Sequence, residues 1–223
     1  MRQRIIFLVG GTDLHPANKQ ALHIIEWLGE DYNCHTAESL AAFEHLNECD
    51  LLVLMGQHWT GLESEYRSPS EAHRRNFEKY VQSGKPLLAA HAGISSYDDW
   101  PRFGELVGFA WLWNSTASSP LGDYNIHIIN TGHPIVRGIN DFTIHDELFY
   151  DIRITSDMDL QVHAEAEWEG RKLPMVMTAV GGRMAGAGKT AYLANGHDMQ
   201  SLQSPSMQQL WINAVKWCLA EEL

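Results

Sequence analysis

Four runs of the sequence, residues 4–9, 51–55, 86–90 and 190–195, are short, almost wholly apolar and show no polar–apolar alternation. A strand of that kind needs cover on both faces, which a parallel sheet flanked by helices provides and a one-sided antiparallel sheet does not. Helical segments lie between the runs. Ala21, Leu22, Ile25 and Leu28 repeat at helical spacing over residues 16–28, a weak strand is expected at 33–36, and a short helix at 40–46. Ser68-Pro69-Ser70-Glu71 opens another helix, with Ser68 as cap, Pro69 in the first turn and Glu71 completing a capping box; Gly84 closes it. Asp99-Trp100-Pro101 begins a helix that stops at Gly108. Ser204-Pro205 begins the last one, with Met207, Leu210, Trp211, Ala214, Val215 and Cys218 on its apolar face. Strand–helix alternation of this order predicts an α/β protein, a three-layer α/β/α sandwich.

From about residue 110 to 180 the pattern changes. Residues 124–130 alternate, 142–154 and 160–167 read as antiparallel strands, and 174–180 and 190–195 read as a hairpin across the Gly-rich segment 181–188. This part is expected to extend the sheet within one domain spanning 1–223. Gly186-Ala187-Gly188-Lys189-Thr190 is not a phosphate loop. The glycine that G-x-x-x-x-G-K-[ST] requires at 183 is Arg183, and the segment precedes a strand instead of following one. Gly10-Gly11 after the first strand is no dinucleotide fingerprint either, so no nucleotide cofactor is expected.

Lys and Arg total 16 against 28 Asp and Glu, a formal net charge of -12. That balance excludes nucleic acid as a partner, because phosphate binding needs basic patches, and it disfavours anionic membrane surfaces. No apolar stretch approaches a membrane span. The N-terminal apolar run is shorter than a signal-peptide core and leads straight into Gly10-Gly11. Cys34, Cys49 and Cys218 are widely spaced and read as free thiols of a reducing compartment. The cytoplasm is the expected location, and a homo-oligomer is left open.

His15, His58, His91 and His197 each lie just past one of the four apolar runs. Open parallel sheets bind ligands at the carboxyl ends of their strands. Imidazole is both the commonest metal ligand and the usual acid or base near neutral pH. His91 heads the turn His91-Ala92-Gly93, either as a site residue or as a loop histidine bonded to backbone. Ser95 and Ser96 are near, but G-x-S-x-G is absent and no cysteine is close, so nucleophilic acyl transfer is not expected. In His145-Asp146-Glu147, an extended backbone puts His145 and Glu147 on one face and Asp146 on the other. Glu147 is then a metal ligand or general base, or else part of a solvated strand edge. His23, His35, His45 and His73 read as surface residues, and nothing marks His127, His133 or His163 as ligands.

His91-Ala92-Gly93, Asp98-Asp99-Trp100-Pro101, Glu105-Leu106-Val107-Gly108, His133-Pro134-Ile135, Gly138, Asp141-Phe142, Asp146-Glu147-Leu148, Tyr150 and Gly196-His197-Asp198 follow one another in an order that resembles the ThuA-like (trehalose utilisation) family. The resemblance covers nearly the whole chain. It implies a flavodoxin-like sandwich of the class I glutamine amidotransferase-like superfamily, without the amidotransferase triad, and a place in disaccharide and glycoside catabolism. It implies site positions at His91, Glu147 and His197, the expected catalytic residues, and more weakly at His58; if the first three cluster, they are expected to hold a divalent metal such as zinc, because three N/O ligands leave an open position. His15, His58, Trp100 and Tyr150 are then the residues expected around a sugar or sugar derivative. Where relatives show Gly-His, this chain has Gly56-Gln57-His58, and its segment 111–122 departs from the family's Gly-His-Pro pattern. Two functions of different classes follow. One is an enzyme performing acid/base chemistry, with or without a metal, on an oxidised (3-keto) disaccharide or glycoside. The other is a non-catalytic sugar-binding or regulatory module on a degenerate amidotransferase-like fold.

Overall fold

The computed structural model describes residues 2–38, 40–155, 159–181 and 188–221. In chain order the elements are β1 (Arg4–Val9), α1 (Ala17–Leu28), β2 (Asn33–Glu38), α2 (Ala41–Glu44), β3 (Leu51–Leu54), α3 (Glu71–Gln82), β4 (Leu87–Ala90), α4 (Pro101–Val107), β5 (Phe109–Ala110), β6 (Ala117–Ser118), β7 (Gly122–Ile128), β8 (Phe142–Asp146), β9 (Phe149–Tyr150), β10 (Arg153–Ile154), β11 (Asp159–Trp168), β12 (Arg171–Val180), β13 (Lys189–Leu193) and α5 (Pro205–Cys218).

Nine strands form one sheet in the order β2-β1-β3-β4-β13-β12-β11-β7-β8. The first five are parallel, and the remaining pairings are antiparallel. All four unalternating runs therefore lie side by side. β3 and β4 are buried at every residue, as strands covered on both faces must be. Helices α1 and α5 pack together on one face, and α2 and α3 together on the other. There Phe43, Phe77, Phe103 and Tyr97 form an aromatic cluster with ring centroids 5.1–5.5 Å apart. Register fixes the rim. Leu8 is level with Leu54, Leu54 with Ala89, and Ala90 with Leu193, so the chain leaves β1, β3, β4 and β13 at nearly one height.

Two local expectations need correction. Ser70, not Ser68, caps α3, accepting from the His73 N–H at 3.3 Å. Arg74 draws the preceding segment away by donating to the Pro69 carbonyl and the Ser68 hydroxyl. The strand expected over 142–154 breaks into β8, β9 and β10, because Asp146 turns inward and Asp151 adopts a left-handed φ of 56°. The Gly-rich turn between β12 and β13 lies largely outside the described residues, although the antiparallel pairing of the two strands is as expected. Among the described residues no helix is long and apolar enough to cross a membrane.

Candidate functional site

Local backbone places each side chain at the rim. After Ala90 the chain turns at His91 in a left-handed conformation, φ 42°, and enters a 3-10 turn over His91–Ser95. Such a conformation in a non-glycine residue costs roughly 1–3 kcal/mol and persists only where the surroundings enforce it. Gly93 is part of that enforcement: it packs on the Leu54 carbonyl, where any Cβ would collide. The strained residue of this turn is thus His91. Past β13 the chain turns at Gly196, φ 136°, directly beneath His91 Cβ. His15 enters from the loop after β1, and Glu147 is the first residue beyond β8.

His15, His91 and His197 form a triangle of rings. Centroids are 4.9 Å apart for His15–His91, 4.8 Å for His15–His197 and 5.8 Å for His91–His197. Glu147 Oε1 joins two of them, 3.2 Å from His91 Nε2 and 3.0 Å from His197 Nδ1. One ligand-type atom from each of the four residues lies within 4.8 Å of all the others. Behind them Asp146 is fully buried. Its Oδ1 accepts from the Glu147 and His197 N–H groups at 2.8 and 3.1 Å, and its Oδ2 from the Gly196 N–H at 2.8 Å. Gln20, on the buried face of α1, donates to the Gly196 and Asp198 carbonyls at 2.8 and 3.0 Å.

The electrostatics divide the groups. Burial alone would raise the Glu147 carboxyl, but hydrogen bonds from His197 and His91 and the His91 charge hold it well below the usual range. The Glu147 bond raises His197 against the opposing effect of burial. Burial, with the neighbouring His91 and His197 charges, lowers His15 to about 3. Burial raises Asp146.

These residues fit a divalent cation. Bonds of about 2.0–2.2 Å in tetrahedral geometry separate ligand atoms by roughly 3.3 Å, close to both Glu147–imidazole distances; the whole set lies within 4.8 Å and would draw together around an ion. Three imidazole nitrogens and one carboxylate suit a first-row metal such as zinc. His91 adds a stricter observation. Its Nδ1–H donates to the Ala194 carbonyl at 2.7 Å, so a neutral ring has only a lone pair at Nε2 to present to the Glu147 carboxylate. A proton or a cation must lie between them.

His15, His91, Glu147 and His197 are brought together; the other sequence candidates are not. His58 points back into the fold, donating from Nε2 to the Val9 carbonyl at 2.8 Å, with its ring against Gly10 and Gly56. The extra residue Gln57 after Gly56 accompanies that inward placement. Trp100 is buried beside Phe77 and Phe103 and lines a separate crevice. Tyr150 lies under the Arg171 guanidinium, 5.3 Å from its ring centroid. His145 faces away from Glu147 and pairs with Asp123 at 2.7 Å. Alternation places Asp146 opposite His145 correctly, but the shared face it gives His145 and Glu147 is wrong: alternation ends with β8, and Glu147 turns to the histidine cluster. Ser95 and Ser96 donate to the Ala92 and Gly56 carbonyls. Cys34, Cys49 and Cys218 lie toward the opposite end of the sheet, with burial pushing them up to about 11, 11 and 12. The sequence reading missed Asp146, Gln20 and Phe149, whose ring stacks on His91 at 4.1 Å. Of these, Gln20 carried a legible signal, a polar residue within the stripe Ala17, Ala21, Ile24 and Leu28.

A family model described as ThuA, trehalose utilisation, matches residues 4–218. No curated protein sequence gives a match. Among solved structures the chain is similar to a ThuA-like protein from Parabacteroides merdae, at 17% identity and TM-score 0.76, over 98% of this chain and 90% of that one. It is also similar to a ThuA-like protein from Bacteroides uniformis, at 17% identity and TM-score 0.71, over 97% and 91%. A glutamine amidotransferase from Thermotoga maritima matches at 9% identity and TM-score 0.58, over 98% and 99%. At these identities the likeness concerns the fold, a class I glutamine amidotransferase-like sandwich. Matched from its first strand to its last helix, the chain belongs to the ThuA (trehalose utilisation) family.

Proposed function

We propose that this protein is an enzyme of carbohydrate utilisation performing acid/base chemistry on an oxidised, 3-keto disaccharide or glycoside at His15, His91, Glu147 and His197. Family membership supports the substrate class. The observation that carries the chemistry is the sharing of Glu147 Oε1 between His91 Nε2 and His197 Nδ1, with His15 alongside.

In a 3-keto glycoside the hydrogen on C2 is acidified by the C3 carbonyl, and the glycosidic oxygen departs from C1. A base removes the C2 proton, the electron pair passes through an enolate, the C1–O bond breaks, and the leaving oxygen takes a proton. In this reading Glu147, ionised and acceptor-only, takes the first proton, and His197, a donor through Nδ1–H, supplies the second. His91, fixed by the Ala194 carbonyl, orients Glu147, and Phe149 stacked on its ring screens that side from water. If these residues held a divalent cation in place of the shared protons, it would supply Lewis acidity toward the keto oxygen.

A binding module needs hydrogen-bonding groups around a sugar; it has no need of three imidazoles converging on one carboxylate. That clustering favours the enzyme. The test is consumption of a 3-keto disaccharide by wild type, His91→Ala and Glu147→Gln, each checked for folding. Loss of a true base slows turnover by about 10²–10⁴-fold. Equal rates in all three reject the assignment, and sugar binding without turnover by wild type favours the module.

A further inference from the structure

The aromatic rings beside the cluster do not stop at Phe149. Trp111 packs edge-on to Phe149 at 4.7 Å, Trp113 lies 5.9 Å from Trp111, and Trp59 stacks on Trp113 at 3.8 Å. Along this row runs a crevice of about 340 Å³, walled by Trp100, Trp111 and Trp113 and edged by Asn114, Ser115 and Arg153. Ile94 and Ser95, from the same turn as His91, form its near end. A volume of this size suits one ring-shaped ligand, and aromatic walls with a few polar groups are the usual make-up of a small-molecule site.

One detail sets the crevice apart from ordinary packing: Trp113 is 39% exposed, and its neighbour Leu112 equally so, on the wall of a concave site, and exposed apolar side chains grouped in a groove mark ligand-binding surfaces. Segment 111–122 supplies Trp111, Trp113, Asn114 and Ser115.

We propose that the crevice is the subsite for the second ring of a two-ring glycoside whose reacting sugar faces His91. This rests on the reading of the substrate as a glycoside, and it makes Trp113 the selector for the group attached to that sugar. The turn from His91 to Ser95 contributes to both sites, His91 to the cluster and Ile94 and Ser95 to the crevice.

Calorimetric titration with unoxidised methyl, phenyl and glucosyl glucosides, in both anomeric forms, tests binding without turnover. The two-ring compounds should bind about ten-fold or more tightly than the methyl glucoside, the scale of one aromatic stacking contact. Trp113→Ala, at an exposed position, and Ser115→Tyr, which fills the crevice, should each remove most of that preference. A preference for the glucosyl compound assigns a second sugar, and one for the phenyl compound an aromatic aglycone. Equal affinities, no binding of any two-ring compound, or a preference that survives both variants would overturn the subsite. A two-ring preference in a protein that never converts keto glycosides would leave the subsite standing and reject the chemistry; turnover without preference would do the reverse.

Discussion

Asp146→Asn is the substitution that most stringently tests how the site is held together. The side chain is fully buried and accepts three backbone N–H groups, from Glu147, Gly196 and His197. An amide keeps only one acceptor oxygen. In its better orientation it serves Glu147 and His197 and points its NH₂ at the Gly196 N–H, leaving two buried donors facing each other. Each unsatisfied buried donor costs about 1–3 kcal/mol. Relief of the buried charge, visible in the raised Asp146 carboxyl, offsets part of this, so the net loss is about 3 kcal/mol. For a chain of this length that lowers Tm by about 6–12 °C. Because the lost bond holds the Gly196 turn that leads into His197, metal affinity should fall by about 10–100-fold as well. Thermal unfolding followed by circular dichroism, with metal titration of the folded variant, measures both. A variant melting within about 2 °C of wild type, with unchanged metal affinity, would refute Asp146 as the anchor.

Other outcomes follow from neighbouring groups. His163, fully buried and bonded to Thr178 and Asn130, is lowered to about 4 by burial and then by His133. The unfolded chain takes up this proton near pH 6.5 while the folded chain resists until about pH 4, so stability complete above 6.5 is lost as pH falls through that window, by at most about 3 kcal/mol. Melting curves from pH 7.5 to 4.5 should show that slope, and His163→Gln should flatten it; an unchanged slope contradicts the account. His58→Phe should cost about 1–3 kcal/mol, since the Val9 carbonyl loses its donor, yet leave metal uptake intact; loss of metal with normal stability would return His58 to the site. Native protein should react slowly with a thiol reagent and show no glutaminase activity, because all three thiols are raised by burial; rapid stoichiometric labelling would contradict this.

The parallel half of the sheet was legible because β1, β3, β4 and β13 are buried on both faces and their apolar runs say so directly. The histidines at their ends were equally legible as a group, since register alone brings strand ends together. Which of them converge was not. His58 and His15 occupy similar places in the sequence, and only the approach of Gly10 and Gly56 to the His58 ring turns it inward. Asp146 was hidden because period-two alternation sets it on the face opposite Glu147, and alternation holds only while the chain is extended; the extension ends where the site begins. The pair His133 and His163, stacked at 3.9 Å, gave no sequence signal, since its burial depends on a bulge in the long β11–β12 pairing.

The most direct test of the central claim is quantitative metal analysis of the purified protein after equilibration with zinc, alongside His15→Ala, Glu147→Gln and His197→Ala. The account predicts one metal per wild-type chain, with affinity falling by about 10²-fold or more in each variant, beyond the effect of losing an outer hydrogen bond. A wild type that binds no zinc, or variants that bind it as tightly as wild type, would contradict a four-residue metal centre at this rim.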